Sequence, residues 1–541
     1  MSQASSASFA GHLRQRAEAH PFAAIGLLAL IVRLATMPLV PAPGYMDACY
    51  YYGIAERLYH GHGFTENVIW SYLSPPATLE HPADPYWMPL QSLAVWASFA
   101  VFGENFRAAQ VPGALFSSAL CMLAAWCAWD LTRSRRCLWW SGLFAIFSGF
   151  WFLHWVNSDY IALYGLTGAG ALALTYRALR DDARFFVPAG VCAGLAYLTR
   201  GHGLLFAAAM PVAWLLAGCM GPGRRAHSSR WLIAGMAAAL LTASPWLVYF
   251  HIAHGASPSP VLKLAFQRDF NDLYFYAQPL DLGYFLNRSS PSPDWGLWPL
   301  VKSKLIALGM NLDLWARPAL FFLAPFLVVG LLARSTWRRV ELLPFWIYSV
   351  GFYLLISLVF TFPGIRGTTF HVAGALLPFV LPMALAGFDT ALEWLGRRFR
   401  PDALEERRRV YTLFAFAGAV ALSAIWTAGT ARFWRAHDEA YRAIAANVAS
   451  RVPPGRAVMV MDPPAYYYAA RRPAVVIASD GPVPSAAAAR RYNVEFLVLE
   501  ARGVPPIFVR FYETNAAGSP DWQPAGEPLP GVKLFSLRDT R

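Results

Sequence analysis

Charge is scarce in this 541-residue chain: only 14% of its residues are Asp, Glu, Lys or Arg, against about 25% in a soluble domain. Together with 57% apolar residues, that scarcity excludes an ordinary soluble protein and gives the profile of a membrane protein. Lysine is nearly missing, because almost all of the 45 basic residues are Arg, a usage that matches GC-rich bacterial genomes. No CxxC pair and no His-rich spacing occurs, so the common metal-binding and redox motifs have no ligands here. Of the six Cys, only Cys49 falls in a predicted outer loop, which excludes a disulfide framework there. There is no internal repeat and no inverted symmetry of the transporter kind. The first apolar run, Pro21–Val40, is too long for a signal-peptide core and no A-x-A site follows it; it reads as an uncleaved anchor.

What is present is a series of apolar runs of near-membrane length. About eleven are expected to cross: roughly 21–41, 107–129, 137–154, 158–176, 185–199, 203–219, 231–252, 317–333, 342–361, 368–388 and 410–428. The shorter run Pro89–Gly103 reads as an interfacial or re-entrant helix. With residues 1–20 cytoplasmic, the inner loops carry twenty Arg, whereas the three short outer loops carry only Arg200 and Arg366. The positive-inside rule therefore favours this orientation. It also accounts for most of the +13 net charge without any nucleic acid. The 21 Trp and 24 Tyr fit interfacial belts. Residues 21–429 form the expected membrane domain, with long outer loops at 42–106 and 253–316 containing helices that lie on the membrane. After 430 the character changes. A helix over 437–450 and strands at Val458–Met461, Ala474–Ile477, Phe496–Leu499 and Val532–Leu537 predict a small extracytoplasmic α/β domain over 430–541. The expected class is a mainly α, polytopic protein of a bacterial inner membrane.

The residues that could carry chemistry gather at the outer boundary. In GYMDACYYYGIAERLYHGHG, Asp47 opens a helix with Ala48, Tyr51, Tyr52, Ala55, Leu58 and Tyr59 on one face and Gly61 as its terminator. Asp47 reads either as the helix N-cap or as a base held at the membrane surface, and the two roles are compatible. In LEHPADPYWMP, Glu80, His81 and Asp84 cluster among prolines, either as a solvated acidic turn, as a substrate-orienting Glu80, or as part of a divalent cation site. Asp159 is a cap of the fourth span or a second carboxylate facing the cavity of Asp47. Arg200 and His202 in LTRGHG, and Arg366 and His371 in GIRGTTFH, sit where the positive-inside bias disfavours Arg. A lipid phosphate is their natural partner, since a guanidinium matches phosphate oxygens with paired hydrogen bonds; an internal carboxylate or an anionic headgroup is the plainer one. Lys263 and Arg268 are weaker candidates, and Tyr466, Tyr467 and Tyr468 offer either sugar-stacking faces or a buried cluster.

The order of these motifs resembles the GT-C glycosyltransferases, and more closely the polytopic group that includes protein O-mannosyltransferases and lipid A aminoarabinose transferases. YMDACYYYGIAERLYHGHGF, EHPADPYWMPL, VFGENFRAAQVPGALFSSAL, LAYLTRGHGLLF and IRGTTFHVAGALLPF carry the resemblance, which covers residues 20–390. It implies transfer of a sugar from a polyprenyl-phosphate carrier to a lipid, glycan or protein acceptor on the extracytoplasmic face. It implies a catalytic aspartate at Asp47 and a second loop acid at Glu80. No cofactor is implied beyond an optional divalent cation. Protein mannosyltransferases usually show two adjacent acids in this loop, but Met46 and Ala48 flank Asp47 here, which weighs against a protein hydroxyl as acceptor. The competing classes are a transporter or flippase of lipid-linked saccharides, which would place ionisable groups at the midplane of spans, and a receptor or scaffold acting through the C-terminal domain.

Overall fold

The computed structural model describes residues 18–83, 86–219, 229–255, 270–277, 297–332, 340–361, 367–399, 404–449, 451–453 and 455–538. Apolar runs become helices: α1 (Pro21–Thr36), α2 (Met46–Tyr59), α3 (Leu90–Phe102), α4 (Phe106–Thr132), α5 (Arg135–Ile146), α6 (Ile161–Arg180), α7 (Phe186–Thr199), α8 (Leu204–Cys219), α9 (Ser229–His254), α10 (Leu297–Met310), α11 (Ala324–Leu332), α12 (Leu343–Leu358), α13 (Leu377–Phe399) and α14 (Leu404–Ala449). Among the described residues, six helices are long and apolar enough to cross a membrane. A seventh counts if α5 and the bent segment Gly149–Val156 form one span, broken by 43°. Their shared core runs through the small residues of α4 and α6, where Ala124, Ala125, Ala128, Ala169 and Ala173 are buried.

The C-terminal unit is a six-stranded mixed sheet. Its strands are β4 (Ala457–Val460), β5 (Ala474–Val476), β6 (Val494–Glu500), β7 (Trp522–Leu529) and β8 (Val532–Leu537), with a short edge strand β2 (Val68–Ile69) supplied by the first long loop, whose β1 (Thr65–Glu66) and β3 (His81–Pro82) pair with each other. The order is β2-β5-β4-β6-β8-β7. β2 runs parallel to β5 in the register Val68↔Ala474 and Ile69↔Val475, so the loop after α2 is built into the domain. The period-two alternation of strands splits the core into two faces. Met459, Val475 and Leu497 face one side. Val458, Val460 and Val498 face the other, against Tyr441, Ile444 and Val448 of α14.

Two sequence expectations are corrected here. The helix expected over 437–450 is not separate: α14 is one 46-residue helix, roughly 69 Å long, about twice the hydrocarbon thickness of a bilayer. Its far end is a core element of the sheet domain. Helix α2, expected to lie on the membrane with one wet face, is buried from Ala48 through Arg57. It is enclosed because α15 (Pro463–Ala470) of the sheet domain packs on its back, with Tyr467 Cδ1 3.6 Å from where a Cβ on Gly53 would sit. A second tyrosine of α15 joins that contact: Tyr468 meets Tyr52 edge-on at 5.0 Å.

Candidate active site

Helix α2 begins two residues earlier than a cap at Asp47 would place it. Tyr45 is the N-cap residue, its side chain makes no capping bond, and Asp47 lies inside the first turn. The capping reading of Asp47 is thereby overturned, and its carboxylate is left for other work. Gly61 does terminate the helix, at φ +80, with its N–H donating to the Leu58 carbonyl over 3.2 Å. Burial raises the Asp47 carboxyl above the ordinary carboxylate range; the Arg200 guanidinium opposes this and Asp462 adds to it. Asp47 and Arg200, 153 positions apart in the chain, thus share one electrostatic environment.

Arg200 follows the last turn of α7 and is 9% exposed. Its Nη2 donates to the Tyr86 hydroxyl over 2.9 Å. The guanidinium lies over the rings of Tyr86 at 4.6 Å and Tyr160 at 5.0 Å. Tyr160 stacks on His371 at 5.4 Å, and Tyr164 meets His202 edge-on at 5.2 Å. Four buried polar atoms of this cluster have no hydrogen-bond partner among the described residues: Arg200 Nη1, His202 Nε2, His371 Nδ1 and Tyr160 Oη. Leaving such groups unpaired costs about 1–3 kcal/mol each. Four in one place is the signature of a site built to be completed by a polar ligand. Three residues singled out from the sequence (Arg200, His202, His371) meet here. Arg366, Lys263, Arg268 and Asp84 lie outside the described residues.

The strand of residues carrying Asp47 is gripped by the bent segment after Gly149. Asn157 Nδ2 donates to the Pro43 carbonyl over 2.9 Å and Ser158 Oγ to the Ala48 carbonyl over 2.8 Å. Asp159 accepts from the Tyr45 hydroxyl and, at Oδ1, from the Ile161 N–H over 3.1 Å. Asp159 is not the N-cap, which is Tyr160, but it still binds the first turn of α6, and His154 Nδ1 lies 3.4 Å away. Asn157, which the sequence reading passed over, is fully buried. On the opposite side Trp434 of α14 stacks on Tyr45 at 5.1 Å. Gly44 permits this approach, since it adopts φ +74 and an added Cβ would lie 2.3 Å from Trp434 Cβ.

These contacts make two expectations. Asn157→Ala combined with Ser158→Ala should lower turnover about tenfold, as expected when about 1–1.5 kcal/mol of positioning hydrogen bonds is lost, with the donor KM unmoved; steady-state kinetics checks this. Gly44→Ala combines a left-handed backbone with a clash against a helix, and strain of about 1–3 kcal/mol for the backbone alone predicts a melting temperature several degrees lower, read by a thermal scan in detergent or nanodiscs.

Glu80 is placed apart from this cluster. It is 65% exposed and pairs with Arg57 Nη2 at 2.5 Å. His81 turns to Glu66, its Nε2 3.1 Å from Oε1. Glu80 and His81 thus point at different partners, and Asp84, the third member of the cation site read from EHPAD, lies outside the described residues. Among the described residues, the one group with metal-ligand spacing is Glu56, His60 and Glu104. Arg471 already bridges it, 2.5 Å from Glu56 and 3.7 Å from Glu104. Burial still lifts the Glu56 carboxyl to about 7 against the pull of Arg471.

Residues 80–249 match the sequence profile of the dolichyl-phosphate-mannose-protein mannosyltransferases. In three dimensions the chain is similar to ArnT from Cupriavidus metallidurans bound to undecaprenyl phosphate, with a TM-score of 0.54 at 14% identity over 96% of this chain and 98% of that one. It is also similar to the oligosaccharyltransferase AglB from Archaeoglobus fulgidus in complex with an inhibitory peptide and a dolichol-phosphate, with a TM-score of 0.55 at 11% identity over 97% and 75%. The same archaeal enzyme in complex with Zn and sulfate gives 0.55 at 13% identity over 88% and 68%. At these identities the likeness is one of fold. No curated protein matches the chain significantly by sequence. The resemblance to GT-C membrane glycosyltransferases read from the motifs is borne out by the profile and the fold together.

Proposed function

We propose that the chain moves a sugar from a polyprenyl-phosphate carrier to an acceptor, with inversion, at the extracytoplasmic face of a bacterial inner membrane. The reading rests on one observation: four buried polar atoms around Arg200 without a partner among the described residues, in the field of a desolvated Asp47. Asp47 takes the proton of the acceptor hydroxyl. The acceptor oxygen forms its bond to the anomeric carbon as the bond from that carbon to the phosphate oxygen breaks. The electron pair leaves with the carrier as a phosphate monoester, whose second pKa of about 6 lets it depart without a protonating acid. Arg200, His202 and His371 hold that phosphate, joined in this reading by Arg366, and stabilise the charge that grows on it. Asp159 holds the loop of Asp47 by accepting from the Tyr45 hydroxyl. The polyprenyl phosphates bound by the solved neighbours supply the class of carrier.

In this reading the chain crosses the membrane about eleven times, N-terminus inside, and the sheet domain stands outside over the site. A flippase or transporter would keep its ionisable groups at mid-membrane. The Asp47 group instead sits at span ends beside the sheet domain, although one buried cation, Arg33, lies within α1. The deciding experiment incubates the purified chain in nanodiscs with a radiolabelled polyprenyl-phosphate hexose or pentose. Release of polyprenyl phosphate with sugar transfer or hydrolysis supports the enzyme; carrier translocation across a proteoliposome with no bond cleavage overturns it.

A further inference from the structure

A pocket lies along the same helix as Asp47. It is lined by Cys49, Tyr50, Gly53, Ile54, Arg57, Glu66, Asn67 and Val68, and closed by Pro464 and Tyr467 of the sheet domain. Tyr50, Ile54 and Arg57 stand three, seven and ten residues after Asp47, so they continue the face of α2 that begins with it. Tyr50 also packs against Trp87, ring centroids 3.8 Å apart, and Trp87 stacks with Trp70 at 4.4 Å. Trp70 in turn packs on Tyr86 at 4.9 Å, the residue that holds Arg200. The pocket and the Arg200 cluster are therefore neighbours joined by one aromatic wall.

The pocket's cation is Arg57, whose side chain is 5% exposed. Its Nε and Nη2 donate to Thr65 Oγ1 over 3.0 and 2.9 Å, and Nη2 also meets Glu80. Nη1 makes no hydrogen bond among the described residues. The pocket's own acid, Glu66, is engaged with His81. Glu80 approaches Arg57 from solvent, and an ion pair with so exposed a partner is worth about 0–1 kcal/mol. An incoming anion can displace it at little cost, whereas Arg57 is fixed by its two bonds to Thr65.

We propose that this pocket is the acceptor subsite, and that Arg57 receives an anionic group of the acceptor, a phosphate or a carboxylate, with Glu80 as its placeholder in the free protein. This rests on the glycosyl-transfer reading of the Asp47 site. Ten residues of helix separate Arg57 from Asp47, so the anion lies roughly 15 Å from the hydroxyl that reacts. Asn67 and the Tyr50 and Tyr467 rings contact the part of the acceptor between the two.

The test uses the full chain in nanodiscs with a polyprenyl-phosphate sugar donor. The acceptor probe is an envelope extract from cells lacking the gene, split by anion exchange into anion-bearing and neutral pools. Transfer should go to the anionic pool. Methyl phosphate and acetate are added as competitors, and the stronger inhibitor names the anion. Arg57→Gln should raise the apparent acceptor KM tenfold or more while donor hydrolysis without acceptor is unchanged. Arg57→Lys should recover part of the loss. Glu80→Gln, which removes only the placeholder, should lower the acceptor KM. Equal transfer to the neutral pool, an Arg57→Gln acceptor KM within twofold of the parent, or a Glu80→Gln variant with a raised acceptor KM overturns the proposal. If donor cleavage itself is absent or indifferent to Asp47, the glycosyl-transfer reading fails instead, so the two failures are told apart. Should Arg57→Gln not fold, the Lys and Glu80 variants still decide.

Discussion

Replacing Asp47 by Asn should reduce sugar transfer by about 10²–10⁴-fold, the range removed with a general base, in a protein that folds and binds donor normally. The amide keeps the size of the carboxylate and loses only its ability to take a proton. The same burial that raises the carboxyl of Asp47 makes the variant informative about stability. A carboxyl raised in the folded state holds its proton more tightly than in the unfolded chain. Its stabilising contribution is complete below the unfolded value and fades as pH climbs through the folded one. Once ionised, the desolvated Asp47 is thus a burden on the fold, and Asp47→Asn should melt no lower than the parent, a trade of stability for function. In the parent, activity should rise with pH across a limb lying above the usual carboxylate range, because only the ionised form accepts the proton. That limb should vanish in the residual activity of the Asn variant. Near-normal turnover by the folded variant removes Asp47 from the role of base.

The pieces of this site that could be read in the sequence are those whose signal is local. Arg200 and His202 sit at the end of an apolar run, and so does His371; a charge there stands out whatever the fold. Strands β4, β5, β6 and β8 were legible because each is a short apolar run between turns. What escaped depends on distant partners. β2 is two residues long and exists because Val68 and Ile69 meet residues about 400 positions later. β7 contains Pro524, Gly526 and Pro528, which break its register on β8 and make it read as loop. The continuity of α14 was hidden by Arg432, Arg435 and Arg442, which end an apolar run but not a helix. Asn157 and Ser158 resemble capping residues in sequence, yet their side chains reach back to Pro43 and Ala48. Arg33, inside the first span, drew no reading from the sequence. In the structure its Nη2 donates to the Ile146 carbonyl over 2.7 Å, at the break after α5, and its guanidinium lies over Phe152 and Trp155 at 4.8 and 5.0 Å.

Arg200→Gln should cost about 10²–10³-fold in kcat/KM for the donor, the scale on which removal of a preorganised charge-stabilising group is felt. The guanidinium is buried, anchored through Nη2 to Tyr86, and presents Nη1 with no partner among the described residues, so it is oriented before any ligand arrives. Lysine should recover little, because a point charge cannot keep the Tyr86 bond and offer a second donor in the same plane. A second readout separates this role from a merely structural one. Arg200 is the cation that holds the Asp47 carboxyl down against its burial. Without it that carboxyl rises further, and the acid limb of the pH–rate profile should move to higher pH. A structural defect would lower the rate at every pH and leave the limb where it was. A folded Arg200→Gln enzyme with unchanged donor KM and an unmoved limb would separate Arg200 from both the phosphate and the base.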